Sequence, residues 1–272
     1  MVNRLTHDDS GKRLKKFTDE PIETAQSVAD KPSRHIGARK NKLAPEGELK
    51  PRQLGVNAPP LSREYDVLKE LVRSDHQRIK NMPDDSEKKK REKQRLLNQY
   101  RDYLTEWMAA DERHNNDVLF FNIVWAADVG EWAWLITLTD YAVKTGQVND
   151  IFKSTPESVA SREIYFAADR ANKENTAVPE CFFTAFERVK MGDWKIPTAL
   201  IAKFYKLAGI LEHEKGLDFK AKSLIDAAIP CFKIAKDYYT QADTIYPNVA
   251  VKGRLKEVTD LLTSPATNSS TA

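Results

Sequence analysis

An all-α fold is predicted by three observations on this 272-residue chain. Apolar residues recur every three or four positions over long stretches, alternating strand patterns are nearly absent, and Pro or Gly punctuates the boundaries. The expected architecture is a long helical hairpin followed by stacked helical pairs, with disordered N- and C-terminal tails. A hydrophobic fraction of 41% can build a core, while 31% charged residues leave no room for a membrane span. Met1 to Ser10 has the character of neither a signal nor a transit peptide, so the expected location is a cytoplasm, with no membrane partner.

Residues 1–60 carry Pro21, Pro32, Pro45, Pro51, Pro59 and Pro60, mixed charges and no sustained apolar period; they read as a disordered basic extension. From Leu61 the pattern changes. Tyr65, Leu68, Val72 and Ile79 share one helical face, and Pro83 ends that helix. Asp84, Asp85 and Ser86 offer N-caps for a second helix, whose Leu96, Tyr100, Tyr103, Leu104 and Trp107 form its apolar stripe. Together residues 61–110 read as a helical hairpin with a basic tip. Lys89 and Lys93 fall at the angular position of that stripe, and a core does not accept unpaired cations. The tip is therefore expected to project, with Lys88, Arg91 and Arg95 lining its other side. Lys88, Lys89, Lys90, Arg91, Lys93 and Arg95 are the candidate phosphate contacts. A solvated tip, with Glu87 and Glu92 as internal partners, is the alternative.

Residues 111–262 read as an α-helical domain of stacked helix pairs. From Asn115 to Gly146 the pattern is helix, short turn, helix, stop, with Gly130 in the turn and Gly146 as the residue after the last helical one. Trp125, Trp132 and Trp134 read as packing. Further helices are expected over Pro156 to Asn172, Pro179 to Lys190, Thr198 to Lys215, Phe219 to Gln241 and Asn248 to Leu262. Gly209, Gly216, Ala221, Ala227 and Ala228 suggest paired helices with small contact residues. The stretch 263–272 reads as a disordered tail.

Positive charge is concentrated early. Residues 1–63 hold thirteen Lys/Arg against eight Asp/Glu, residues 78–101 nine against four, and the rest of the chain is acidic. This asymmetry within a net charge of +3 places any nucleic-acid face toward the first hundred residues.

Catalytic chemistry is hard to place. No G-x-x-x-x-G-K-[ST] loop exists, so nothing marks an ATPase. Glu46, Glu48 and Lys50 lie in the proline-rich extension. His7, His35, His76, His114 and His213 lack metal-ligand spacing, and no metal site is expected. His76 beside Asp75 reads as a satisfied buried pair, and Asp117 and Asp128 read as helix-end residues explained by capping, with Asp140 the third carboxylate of that stretch. Cys181 and Cys231 read as free buried thiols. No catalytic residue is assigned. No cofactor is expected in this chain, magnesium entering only if cleavage is intrinsic to it.

The run Lys93-Gln-Arg-Leu-Leu-Asn-Gln-Tyr100-Arg-Asp-Tyr103-Leu, then Asn116-Asp117-Val-Leu, Trp125-Ala-Ala-Asp128-Val-Gly130-Glu131-Trp and Tyr141-Ala142-Val-Lys144-Thr-Gly146, resembles the small terminase subunit of temperate contractile-tailed phages with cohesive-end genomes. The resemblance extends from about Ser62 to Gly146, and more weakly through Phe166 to Arg188 and Ala227 to Leu262. The chain departs from that pattern in its Trp-rich turn and long N-terminal extension. Members are called terminase endonuclease subunits. The resemblance implies binding of viral double-stranded DNA at the packaging site, participation in the cleavage that makes genome ends, and association with the large ATPase subunit and the procapsid. It further implies a homo-oligomer working in the host bacterial cytoplasm. Two other readings stand beside it: a helical protein-interaction scaffold without direct DNA contact, and a true endonuclease whose carboxylate site is unrecognised.

Overall fold

The computed structural model describes residues 61–148 and 151–264, with side chains from Glu64 onward. The basic extension expected over 1–60 lies outside the described residues, as does the tail expected over 263–272 from residue 265 onward, Thr263 being the last residue of a helix. Among the described residues the structure is helical and without strands. It comprises α1 (Leu61–Asn81), α2 (Ser86–Ala109), α3 (Asp117–Val129), α4 (Trp132–Thr145), α5 (Pro156–Lys173), α6 (Cys181–Met191), α7 (Thr198–Ala221), α8 (Ile225–Ile245), a 3-10 turn (Pro247–Val249) and α9 (Lys252–Thr263).

The first two helices form the expected antiparallel hairpin. Asp85 adopts an extended backbone and its carboxylate accepts the Lys88 amide at 2.9 Å, starting α2 with four residues between it and α1. Two polar links cross the hairpin: the Tyr100 hydroxyl donates to Asp75 at 2.7 Å, and Arg78 meets Glu92 at 2.6 Å. Yet the hairpin closes on α3 more than on itself. Val72, Leu96, Leu97, Tyr100, Leu104 and Trp107 share one buried cluster with Val118, Leu119, Ile123 and Trp125. α3 is buried on nearly every side, from Val118 to Ile123 and again from Trp125 to Ala127, and so is the element around which its neighbours collect. Each large apolar side chain buried there contributes about 1.5–3 kcal/mol.

Asn116 caps α3 by accepting the Val118 amide at 3.0 Å, and Gly130 ends it at φ +84°, a left-handed conformation that costs glycine nothing. The helix, turn, helix, stop pattern of the sequence is present, with Gly146 also left-handed at the end of α4.

Farther along, several expected helix ends fail. The sequence places the end of one helix at Lys215 and the start of another at Phe219, around Gly216; instead α7 runs unbroken to Ala221 and the turn falls at Lys222–Leu224, where Ser223 takes φ +60°. The reason is close approach. A β-carbon on Gly216 would lie 2.6 Å from the Phe232 ring, and one on Gly209 2.7 Å from the Tyr239 ring. These glycines, two turns apart, are recesses that admit two α8 rings two turns apart, so Gly216 marks a contact and not a break. Phe232, Tyr239, Ala228, Ala235 and Ala242 with Val249, Val251 and Val258 make a second buried cluster. α8 runs four residues beyond its expected end, to Ile245; the expected start of the last helix at Asn248 falls instead in the 3-10 turn, and α9 spans Lys252–Thr263, one residue beyond its expected end.

Candidate nucleic-acid interface

The basic tip is the start of α2. Three consecutive lysines so near a helix N-terminus oppose the helix dipole, which only solvent and neighbouring carboxylates make tolerable. Lys88, Lys90, Arg91 and Arg95 are exposed, while Lys89 and Lys93 are half-buried. Four of the six candidates stand beside carboxylates. Lys88 lies 3.5 Å from Asp85 and Lys89 3.4 Å from Asp84. Arg95 meets Glu92 at 2.7 Å, and Lys93 reaches across to Asp128 at 2.6 Å. Glu92, bonded to both Arg95 and Arg78, has its pKa drawn down to about 2 by those hydrogen bonds. Among the described residues Lys90 and Arg91 alone of the six have no carboxylate within ion-pair distance. The stripe position of Lys89 and Lys93 is thus resolved by pairing them at the rim of the core.

The conspicuous sequence pattern of α2 and the following turn is wiring between elements. Lys93 holds Asp128, Gln94 and Arg101 both bind Glu131, and the Arg101 guanidinium lies 4.7 Å from the centre of the Trp134 ring. The two acids of the Asp128-Val-Gly130-Glu131 turn are therefore clamped by α2 (a charge-assisted arrangement). At the other end of α3, the Tyr65 hydroxyl donates to the Asn115 carbonyl at 2.8 Å and accepts the Asp117 amide at 3.1 Å. The base of the hairpin is thereby fixed on α3, while at the other end Met82 packs against the core beside the basic turn.

Three expectations about carboxylates and histidines change. The cap of α3 is Asn116; Asp117 binds Arg73 at 2.6 Å, and Asp128 binds Lys93. Asp75 is not paired with His76; it is buried, accepts from the Tyr100 hydroxyl and binds the exposed Arg78. The His76 ring instead packs against Phe121, 4.8 Å between centres, and its Nδ1 has no hydrogen-bond partner. A side chain next in sequence points to a different side of a helix, which explains why the neighbours do not meet. Burial lowers the His76 pKa below its ordinary value of 6.5.

Nothing among the described residues gathers three metal-ligating side chains. Asp140 is occupied by Arg188 at 2.9 Å and by the Trp194 indole at 2.9 Å. Both cysteines are free and buried, and burial pushes the Cys181 thiol up to about 11, which leaves it a poor nucleophile. Glu46, Glu48 and Lys50 lie outside the described residues. The tip can therefore offer positive charge that no carboxylate among the described residues neutralises at Lys90 and Arg91. A second group of cations, from α5, α7 and α9, escapes sequence reading because its members are far apart along the chain.

Residues 70–198 match the family described as phage small terminase subunit. The matched segment begins inside α1, contains the tip and the clamped turn, and ends as α7 begins. The chain is also 23% identical over 149 residues to the probable terminase, endonuclease subunit of Haemophilus phage HP1 (strain HP1c1), an alignment covering 54% of this chain and 53% of that one. The match thus spans about half the length of that relative. No solved structure matches the chain.

Proposed function

We propose, on the premise that residues 70–198 belong to the phage small terminase subunit family, that this chain takes part in phage DNA packaging as the subunit that binds viral double-stranded DNA. The observation that carries the reading is the hairpin tip: Lys90 and Arg91 are exposed, with no carboxylate at ion-pair distance among the described residues, on a helix whose middle is clamped to the α3–α4 turn. A duplex phosphate takes the place of the missing carboxylate, with Lys88, Lys89, Lys93 and Arg95 around it. Such contacts set affinity and position rather than base sequence. In this reading the chain selects the packaging site and supports endonucleolytic cleavage by a large ATPase subunit, works as a homo-oligomer with the procapsid, and acts in the host bacterial cytoplasm. The relative's printed description as an endonuclease subunit supports involvement in cleavage.

The test is binding of the full chain to duplex DNA across a salt series. Replacing Lys90 and Arg91 by Ala is expected to reduce the slope of log affinity against log salt by about 0.9 for each phosphate-binding cation removed. An unchanged slope removes the tip from the interface. No duplex affinity at all favours the interaction scaffold, a reading that the four carboxylate-paired cations of the tip keep alive.

A further inference from the structure

We infer that the face shared by the C-terminal end of α5, the early turns of α7 and the start of α9 binds phosphate, and that its occupant is the duplex backbone, contacted separately from the hairpin tip. The identity of the occupant rests on the DNA-binding reading above; the phosphate chemistry rests on the residues themselves.

Lys203 and Lys206 lie one turn apart on α7. The Lys203 ammonium sits 5.9 Å from the centre of the Tyr165 ring of α5. The Lys206 ammonium is half-buried and donates to the Val249 carbonyl, in the turn before α9, at 2.9 Å. A carbonyl fixes the position of an ammonium without cancelling its charge. Burial, then the charge of Arg254, lowers the Lys206 pKa, with Lys203 and Lys173 adding to the repulsion and Asp169 opposing it. Asp169 is itself shared, since its carboxylate lies 2.6 Å from Lys173. Among the described residues no carboxylate is within ion-pair distance of Lys203, Lys206 or Arg254. Elsewhere on this protein cations at helix junctions are matched, as Arg73 is by Asp117, Arg101 by Glu131 and Arg188 by Asp140.

Three cations from two helices thus feel one another's charge with no carboxylate at ion-pair distance, Lys206 desolvated and fixed on the Val249 carbonyl and Arg254 bonded to the neutral Tyr239 hydroxyl. Lys203 and Arg254 are exposed and within reach of a ligand in solution. Lys252, also exposed, adds to the same sign in the first turn of α9, which has no acidic residue. An oxyanion with several acceptor oxygens would relieve the repulsion and take hydrogen bonds from ammonium and guanidinium alike. A repeating phosphate backbone suits donors spread over separate elements better than one compact carboxylate does. Lys203, Lys206 and Arg254 all lie beyond residues 70–198, so these three cations belong to the part of the chain that the family match does not reach, while the α5 side of the face lies within it.

The experiment measures two ligands on the full chain: duplex DNA over a salt series, and tripolyphosphate by calorimetry. Four proteins are compared: wild type, Lys203→Ala/Arg254→Ala, the charge-keeping Lys203→Arg/Arg254→Lys, and the tip variant Lys90→Ala/Arg91→Ala. Unchanged helical circular dichroism and melting identify the folded variants. The Ala pair at 203 and 254 is expected to lose tripolyphosphate binding at least tenfold and to lower the DNA salt slope by about 0.9 per cation, or about 1.8. The charge-keeping pair should retain both, and the tip variant should lose DNA affinity alone. Wild-type behaviour of the Ala pair toward both ligands overturns the proposal, as does equal loss in the charge-keeping pair, which would mean a packing role. Tripolyphosphate binding that depends on Lys203 and Arg254, with no duplex binding by wild type, retains the phosphate surface and rejects DNA as its occupant. Binding of neither ligand by wild type rejects both.

Discussion

Gly209 and Gly216 are positions where one carbon atom decides packing. Phe232 and Tyr239 are fully buried, so neither ring can swing away from a β-carbon placed 2.6 or 2.7 Å from it. Gly216→Ala is expected to destabilise the fold by about 1–3 kcal/mol through overpacking, offset by up to about 1 kcal/mol of helix propensity. Chemical denaturation checks this, and a midpoint at or above wild type would refute the close-contact account. His213 gives a prediction on pH. It is 1% exposed, Tyr239 lies 3.5 Å from its Nδ1, and its Nε2 has no partner; burial holds its pKa below 6.5. Above pH 6.5 the residue is neutral whether the chain is folded or not. As pH falls below that value the unfolded chain takes up the proton first, so stability is lost in going from neutral pH toward the folded pKa. His213→Gln should flatten the fall in melting temperature between about pH 7 and 5; a slope equal to wild type would count against it.

At the scale of elements, α2 performs two tasks along one helix. Its middle clamps the α3–α4 turn through Lys93, Gln94 and Arg101, and its first turns carry the free cations. A double-mutant cycle on Lys93→Ala and Asp128→Ala separates these tasks. The pair is partly exposed, so its coupling is expected at about 0.2–1 kcal/mol. Because the Lys93 charge is matched within the fold, Lys93→Ala should change the DNA salt slope less than Lys90→Ala does; the reverse order would mean that Lys93 leaves Asp128 for phosphate. The periodicities along α2, α3 and α4 are readable because each helix shows its core face locally. Partners are not. Whether Asp128 caps a helix or binds a lysine depends on α2 passing close enough for the Lys93 ammonium to reach it at 2.6 Å, a fact no local pattern contains.

For the whole molecule, the described residues hold two buried clusters. One runs from α1 to α7, and the other joins α7 and α8 to α9 and the turn before it. No helix among them is long and apolar enough to cross a membrane. On the proposed division of labour, in which a large subunit carries out the cleavage, the full chain incubated with duplex DNA and magnesium is expected to leave it uncut, gel electrophoresis being the readout. Cutting by this chain alone, lost on changing a single Asp or Glu, would show an endonuclease site. The amino-acid sequence by itself determined the helical class, most helix ends and the position of the basic tip, because helical periodicity, caps such as Asp85 and terminators such as Gly130 act over a few residues. Only the tertiary structure decided which cations are neutralised, that Gly216 is a recess and not a turn, and that Lys203, Lys206 and Arg254 meet. Those outcomes depend on distances between residues far apart in sequence, which packing sets and local pattern does not.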